Sequence, residues 1–240
     1  GFLILFGTGK FFSQGDEIVD SGSEGGIAVN SFYGIRDDGS PISSVASRAL
    51  PPNGQPNSNL QPQSILSESN QTIGTEISKI RITSDNSVDY SSQNGWYMDL
   101  VVGSVGPVGE RVIADPQIRT AQTSALLLFN TFVPGGSCQS IGGSSALMAI
   151  DALTGSRTPF AVFDLNDDGS IDSSDNDPSS GLAVSGRVGQ QSVSAVTVIS
   201  SGDATESYVI QSTTQSVNPT VSTVTGASTS LGRQSWRQLQ

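Results

Sequence analysis

Apolar residues occur along the chain in short runs of about four to eight residues, bounded by clusters of glycine, proline, asparagine, aspartate or serine. Long stretches with the 3.6-residue period of an amphipathic helix are hard to find. Short apolar runs between turn-forming residues are typical of β-strands. The pattern predicts an all-β chain, with strands at 2–7, 29–35, 76–83, 96–102, 110–114, 124–132, 145–151, 159–164, 193–199 and 206–212.

The predicted strands are joined by two kinds of connection. Tight turns are predicted at 37–40 and 153–155, where glycine can take the left-handed conformation. The proline-rich polar stretch 49–64 predicts a mobile loop within a domain. The Ser- and Thr-rich stretch 211–230 fits either an extended strand or a loosely ordered arm. Many short strands in succession indicate a sandwich, a barrel or a propeller.

Composition excludes several classes of function. The net charge is -11, so the chain offers no basic surface for nucleic acid or anionic membranes. Histidine is absent, which removes the commonest general base and the usual Ser/His and Cys/His nucleophile systems. Cys138 is the only cysteine, so no disulfide forms within the chain and no structural zinc site can be built. No apolar stretch approaches a transmembrane length, and we expect no direct membrane insertion.

One segment has the oxygen pattern of an EF-hand-like calcium loop. With Asp164 as position 1, side-chain oxygens recur at positions 3, 5 and 9, and a glycine stands at position 6. In such a loop alternate residues aim oxygens inward, the position-7 carbonyl adds a ligand, and glycine permits the sharp turn. The spacing predicts a Ca2+ site, and its predicted ligands are Asp164, Asn166, Asp168, Ser170 through its carbonyl, and Asp172.

Two closures of this loop fit the sequence. A twelve-residue loop, 164–175, ends in a bidentate carboxylate and makes Asp175 the last ligand. A shorter loop ends at Asp172. Acidic turns also arise because Asp and Asn bond their own backbone, but such turns seldom combine ligand spacing, glycine and the apolar Ile171 at position 8. Ca2+ fits better than Mg2+, because many flexible protein oxygens suit the larger ion.

Four further groups of segments combine glycine-rich turns with aromatic or charged residues. They are 6–10 with 31–35, 95–100 with 109–112, 142–148 with 151–155, and 232–237. Taken alone they fit strands, turns and core aromatics, and Glu110 beside Arg111 fits a structural ion pair. In this order, and together with the calcium loop, they resemble the C-terminal β-propeller domain of the PilY/PilC family of type IV pilus tip and biogenesis proteins.

The resemblance implies a quinoprotein dehydrogenase-like fold, modified to seven blades in the family. Residues 1–240 would form the C-terminal part of that propeller, because 240 residues cannot hold seven blades of about 40 to 50 residues each. The chain also opens on an apolar strand without an initiator methionine, which we expect of a piece of a larger protein. The metal roles implied by the resemblance fall on the same five predicted ligands, Asp164 to Asp172.

The function implied by the resemblance is non-enzymatic. A calcium-binding module would support pilus biogenesis, regulate extension against retraction, and aid surface adhesion and twitching motility. Its implied partners are minor pilins of the pilus tip complex, the remaining N-terminal part of the same protein, and host or abiotic surfaces. Its implied location is outside the cytoplasm of a bacterium, at the pilus tip, on the cell surface, or in the periplasm or outer membrane.

Two other functions fit single features of the chain. A quinoprotein-like propeller enzyme can hold calcium beside its cofactor, but its ligands would come from several blades and not from one local loop. A dockerin-like interaction module has loops similar to 164–175, but dockerins need two such loops with helices and only one copy occurs here.

Overall fold

The computed structural model describes residues 1–11, 16, 29–37, 39, 60–73, 76–121, 124–134, 143–190, 195–200, 205–212 and 220–227. Within these residues the regular elements are almost entirely β-strands. They are β1 (Phe2–Gly7), β2 (Ser31–Asp37), β3 (Gln61–Ile73), β4 (Glu76–Thr83), β5 (Gly95–Val102), β6 (Gln117–Ala121), β7 (Ser124–Val133), β8 (Ser144–Asp151), β9 (Gly186–Gln190), β10 (Thr197–Ser200), β11 (Thr205–Ser212) and β12 (Thr220–Ala227), with a 3-10 turn at Ser173–Asp175.

The strands form two sheets. Nine of them make one sheet in the order β1-β2-β5-β3-β4-β9-β8-β7-β6, which curls into a half-barrel. Neighbours in this sheet are antiparallel except for β3 and β5, which run parallel. The remaining three strands form a small antiparallel sheet in the order β10-β11-β12. The all-β prediction is confirmed.

The core lies on both faces of the large sheet. Along β7 the buried residues alternate between two apolar clusters, because successive side chains of a strand point to opposite faces. Leu126 and Leu128 belong to a cluster that includes Tyr208 of the small sheet. Leu127 and Phe129 belong to a second cluster, built around Trp96 of β5. A strand buried on both faces reads as a continuous apolar run, as β7 does in the sequence.

Most strand predictions agree with the structure, but two are wrong. At 110–114 the structure has only an isolated bridge from Arg111 to Phe132, because the amide of Val112 turns to the carbonyl of Thr8. At 159–164 it has only a bridge from Phe163 to Gly226, in a segment that is exposed at Pro159 and buried from residue 161 onward. The structure also contains three strands that the sequence pattern does not predict, β3, β6 and β9. Of the stretch 211–230, for which strand and arm were both open, residues 220–227 form strand β12.

Several sequence predictions fall partly or wholly outside the described residues. The predicted mobile loop 49–64 is described only from residue 60 onward, and its last four residues belong to β3. Of the turn 37–40, residues 37 and 39 are described, and Gly39 has a φ of 82°. Cys138 and the segment 232–237 lie outside the described part of the chain.

Candidate calcium-binding loop

The predicted calcium loop lies in the connection between β8 and β9, which are neighbours in the large sheet. The residues just before the loop are buried, and Phe163 packs edge-on against the ring of Tyr208 at a centroid distance of 6.5 Å. Phe163 also bridges to Gly226 of β12. The loop therefore starts from a point where the large sheet, the connection and the small sheet meet.

Asp164 curls the first half of the loop around its own carboxylate. The side chain is only 4% exposed. Its Oδ1 accepts a hydrogen bond from the amide of Asp167 at 2.7 Å, and its Oδ2 accepts one from the amide of Gly169 at 3.0 Å. Asp167 and Gly169 have φ of 61° and 80°, so the backbone is left-handed at both positions. Glycine at position 6 is explained by this turn.

Asp175 joins the two ends of the loop. It is 1% exposed, and its Oδ1 accepts hydrogen bonds from the amides of Leu165 and Asn166 at 2.8 and 3.3 Å. Its Oδ2 accepts one from the amide of Asp172 at 3.0 Å. Asp172 in turn caps the 3-10 turn by accepting from the amide of Ser174 at 2.7 Å. The two aspartates form a reciprocal capping box, which fixes the end of the loop.

The other three predicted side-chain ligands are exposed and contact the loop itself. Asn166 donates from Nδ2 to Asp168 at 3.0 Å and to the hydroxyl of Ser174 at 2.9 Å. Asp168 accepts from the amide of Ser170 at 2.8 Å. Hydrogen bonds from the backbone and side chain of Ser174 lower the pKa of Asp172 below its ordinary value, which keeps this carboxyl ionised.

The oxygen donors of the loop are of the kind that bind Ca2+. Their side chains, however, are not gathered around one point as they would be around a bound ion. Four carboxylates and one amide supply the oxygens that Ca2+ prefers. Across the described residues, no three His, Cys, Asp or Glu side chains are gathered closely enough to hold a metal. A carboxylate oxygen can accept more than one bond, so the backbone contacts of Asp164 do not preclude metal contact. Binding would require Asn166, Asp168 and Asp172 to rotate inward.

A buried charge network at the large sheet differs from the ion pair that the sequence predicts. Glu110 pairs with Arg81 and not with its neighbour Arg111, through two contacts of 2.6 and 3.0 Å. Arg111 instead donates to the carbonyls of Gly109 and Lys10. The partner of Glu110 could not be found from sequence, because Arg81 lies on a strand brought close only by the sheet.

Gln63 of β3 was missed for a similar reason. It is 2% exposed, and its Nε2 donates to the carbonyls of Asn86 and Thr154 at 2.6 and 2.8 Å. Its Oε1 accepts from the hydroxyl of Ser84. Because Gln63 lies in a proline-rich polar stretch, its burial could not be predicted from the sequence.

Comparison with known proteins relates this curled all-β sheet to the C-terminal domain of a type IV pilus biogenesis factor. No family model matches the chain. The crystal structure of the Pseudomonas aeruginosa PilY1 C-terminal domain matches it with a TM-score of 0.67 at 25% identity, covering 92% of this chain and 42% of that chain. The resemblance predicted from the sequence is thereby confirmed.

Curated relatives agree with the structural match. The type IV pilus biogenesis factor PilY1 of Pseudomonas aeruginosa PAO1 is 27% identical over 100% of this chain, which spans 20% of that protein. A PilY1 homolog of Xylella fastidiosa is 34% identical over 65% of this chain and 9% of its own length. The chain is a homologue of the PilY1 factors, and it spans about a fifth or less of the length of these relatives.

Among the described residues, no helix has the length and apolar character needed to cross a membrane.

Proposed function

We propose that this chain is a calcium-binding module of a type IV pilus biogenesis factor and acts at the bacterial cell surface or pilus tip. The observation that carries the proposal is the similarity to PilY1 over the whole chain, joined by the fold match to the PilY1 C-terminal domain. The relatives are named as biogenesis factors and not as enzymes, and we assign the chain no catalytic role. Minor pilins of the tip complex are the partners that this function requires.

In this proposal most of the oxygen-bearing residues of the loop are metal ligands, and one aspartate has a structural role that we call the brace. Asp164 supplies the first ligand from a fixed position, and the exposed Asn166, Asp168 and Asp172 swing in with the carbonyl of Ser170. Asp175 is assigned the role of brace, because both its oxygens already hold backbone amides from the two ends of the loop. This assignment favours closure of the loop at Asp172.

Calcium would act as a clamp on the domain. An ion that binds the folded loop and not the unfolded chain stabilises the fold by mass action. Because the loop leaves the core at Phe163, next to the small sheet, the clamp would hold both sheets in one arrangement. A pilus-tip surface held in this way supports extension against retraction, and with it adhesion and twitching motility.

Calorimetric titration of the purified chain with Ca2+ tests the metal site. We expect Asp168→Ala and Asp172→Ala to weaken affinity at least about tenfold, since each removes a carboxylate ligand. Asp89→Ala is the matched control, because Asp89 is also exposed and also accepts from the amide two residues onward, Ser91. Unchanged affinity in both loop variants, or no binding by the unaltered chain, would refute the calcium site.

Allelic replacement in the source bacterium tests the cellular role separately. A strain lacking the gene should lose surface pili and twitching, and a strain with Asp168→Ala should assemble the protein but show altered pilus number or twitching zones. The Asp89→Ala strain should match the parent. Normal piliation in the deletion strain would contradict the biogenesis role, whatever the outcome of the calcium titration.

A further inference from the structure

The two edges of the large sheet are built differently. β6, at one edge, is only five residues long, follows Pro116, and carries Arg119, which pairs with Glu206 of the small sheet. Short length, proline and charge are the usual protections of a solvent-facing edge. β1, at the other edge, has the sequence FLILFG, without charge, proline or bulge. Such an edge is unsuited to lasting exposure to water.

The exposed side chains of β1 are large and apolar. Phe2, Ile4 and Phe6 are 81%, 49% and 39% exposed and share one face of the strand. Phe6 stacks on Tyr33 of β2 at 5.3 Å, and Tyr33 stacks on Tyr97 of β5 at 6.2 Å. An aromatic row therefore runs across three strands to the open edge and ends there.

Among the described residues, the outer side of the β1 backbone also has no strand partner for its hydrogen-bonding groups. The amide of Thr8 donates to the carbonyl of Ser31 on β2. Because alternate residues of an antiparallel strand face the same neighbour, Phe2, Ile4 and Phe6 face β2, and Leu3, Leu5 and Gly7 direct their amides and carbonyls away from the sheet. In the part of the chain that the structure describes, no strand pairs with this side of β1.

A groove of about 310 Å³ runs along this free edge. One wall is β1 from Leu5 to Gly7, and the other is the segment 112–116, which separates from β1 after the amide of Val112 donates to the carbonyl of Thr8. An extended backbone in this groove would meet the free groups of β1 on one side and the side chains of Val112 and Ile113 on the other.

We propose that β1 is an acceptor for an added β-strand, supplied by the part of a PilY1-type domain that lies outside these 240 residues. The length of the homologous domain argues for this occupant, because the match covers only 42% of the chain in the PilY1 C-terminal domain structure. Strand addition satisfies the row of backbone groups and places apolar side chains beside Phe2, Ile4 and Phe6. This inference does not depend on calcium binding.

Hydrogen exchange measured on two polypeptides tests the proposal. One is the 240-residue chain, and the other is the complete gene product that contains it. The amides of Leu3, Leu5 and Gly7 should exchange at least about 100-fold more slowly in the complete product. In the isolated chain they should exchange rapidly, and light scattering should show a monomer.

Three results would overturn the proposal. Equally rapid exchange of these amides in both polypeptides would show that the edge stays open. Equal protection in both, accompanied by a dimer of the 240-residue chain, would show that a second copy and not another segment covers β1. Protection of the complete product only after addition of a pilin would likewise assign the edge to a different partner.

A pair of proline variants gives an independent readout. Leu3→Pro removes an amide that points away from β2, so it should lower the Tm of the complete product by roughly 3 °C or more and that of the 240-residue chain by roughly 1 °C or less. Ile4→Pro removes an amide that faces β2 and should lower both. A Leu3→Pro effect of the same size in both polypeptides would contradict strand addition.

Discussion

Asp164 and Asp175 are buried because backbone amides replace the water that their carboxylates lose. Burying a carboxylate is costly unless hydrogen bonds compensate for its hydration. Asp164 accepts two such bonds and Asp175 three, all from amides of the loop. The two side chains therefore hold the shape of the loop before any ion is considered, and the exposed aspartates are left available for a ligand.

Substitution of these residues should separate shape from metal binding. In the absence of Ca2+, Asp175→Ala should lower the free energy of unfolding by about 2–4 kcal/mol, because it leaves three amides without their acceptor, one of them on the buried Leu165. Asp168→Ala should cost less than about 1 kcal/mol, because its carboxylate is exposed. Urea denaturation in the presence of a chelator measures both. Equal costs for the two variants would contradict the assignment of Asp175 as a brace.

Arg81 is the centre of the buried charge network, and it should be sensitive to loss of one partner. Burial opposes the charge of Arg81, but Glu110 and Glu68 outweigh it and raise the pKa of the guanidinium. Glu110→Gln leaves this buried charge with weaker compensation and should cost about 3 kcal/mol or more in stability. Chemical denaturation of the variant measures the loss.

Lys79→Gln is the control, because Lys79 pairs with Glu68 from the outside of the network and its own side chain is 54% exposed. Exposed pairs contribute about 0–1 kcal/mol. A cost for Glu110→Gln no larger than that for Lys79→Gln would show that the buried pair is not a structural requirement.

At the scale of one residue, the sequence was informative where the residues concerned are close along the chain, and calcium binding by the loop stays a prediction. The oxygen spacing from Asp164 to Asp175 identified the loop and the position of its glycine. It could not show that Asp175 faces inward and Asp172 outward, because that difference depends on the turn at Ser173. The pairing of Glu110 with Arg81 was equally beyond reach, since it depends on strand order.

At the scale of elements, Trp96 shows how β2, β5 and the turn after β8 are fitted together. The indole is fully buried, and its Nε1 donates to the carbonyl of Ala152 at 3.2 Å. A Cβ added at Gly34 or at Gly155 would overlap atoms of the indole ring. Gly155 also has a φ of 69°, which disfavours other residues. The two glycines therefore make the space that the tryptophan fills.

Enlarging either glycine should destabilise the fold. We expect Gly34→Ala to cost about 1–3 kcal/mol through overpacking, and Gly155→Ala to cost at least as much because backbone strain adds to it. Gly103→Ala is the control, since a Cβ there meets nothing within 4 Å. Guanidinium denaturation followed by tryptophan fluorescence measures all three. A neutral Gly34→Ala variant would contradict this packing.

Elements were predictable from sequence where an apolar face or an apolar run marks them. β4 matches its prediction residue for residue, and β5, β7 and β8 differ by a residue at an end. The sequence does not predict β3, because QPQSILSESNQTI is mostly polar. The strand forms because it pairs with both β4 and β5. Tertiary pairing here outweighs local propensity.

At the scale of the whole molecule, the absence of histidine shapes the dependence of stability on pH. Burial would raise the pKa of Glu68, but Lys79 and Arg81 outweigh it and lower that pKa. A carboxyl with a lowered folded pKa stabilises the fold above its unfolded pKa, and this contribution is lost as pH falls through the folded value. Stability should therefore be nearly constant from about pH 6 to 8 and fall below about pH 4.5.

Thermal denaturation across this pH range tests the expectation. Glu68→Gln should be less stable near neutrality and should show a shallower decline in acid, because it lacks one of the titrating carboxyls. A transition in Tm between pH 6 and 8, or an acid decline unchanged by Glu68→Gln, would contradict it.

The overall class of fold was predictable, and the sheet order was not. Short apolar runs and turn residues indicated all-β structure, and the ordered motifs indicated the PilY/PilC family. The local sequence of β4 does not show that β9 is its neighbour, because the two strands are distant in sequence and pair only in the folded sheet. Parallel pairing of β3 with β5 was hidden in the same way.

The pairing of β4 with β9 has a kinetic consequence. Arg81 lies opposite Gly186, roughly 100 residues further along the chain, so this ladder cannot form until most of the polypeptide is present. Two-state proteins dominated by such distant pairings fold in milliseconds to seconds, far more slowly than helical bundles. During that interval the edge of β4 stands open to other chains. Refolding should therefore be slow and sensitive to protein concentration. During synthesis from the N-terminus, the large sheet cannot be completed until β9 has been made.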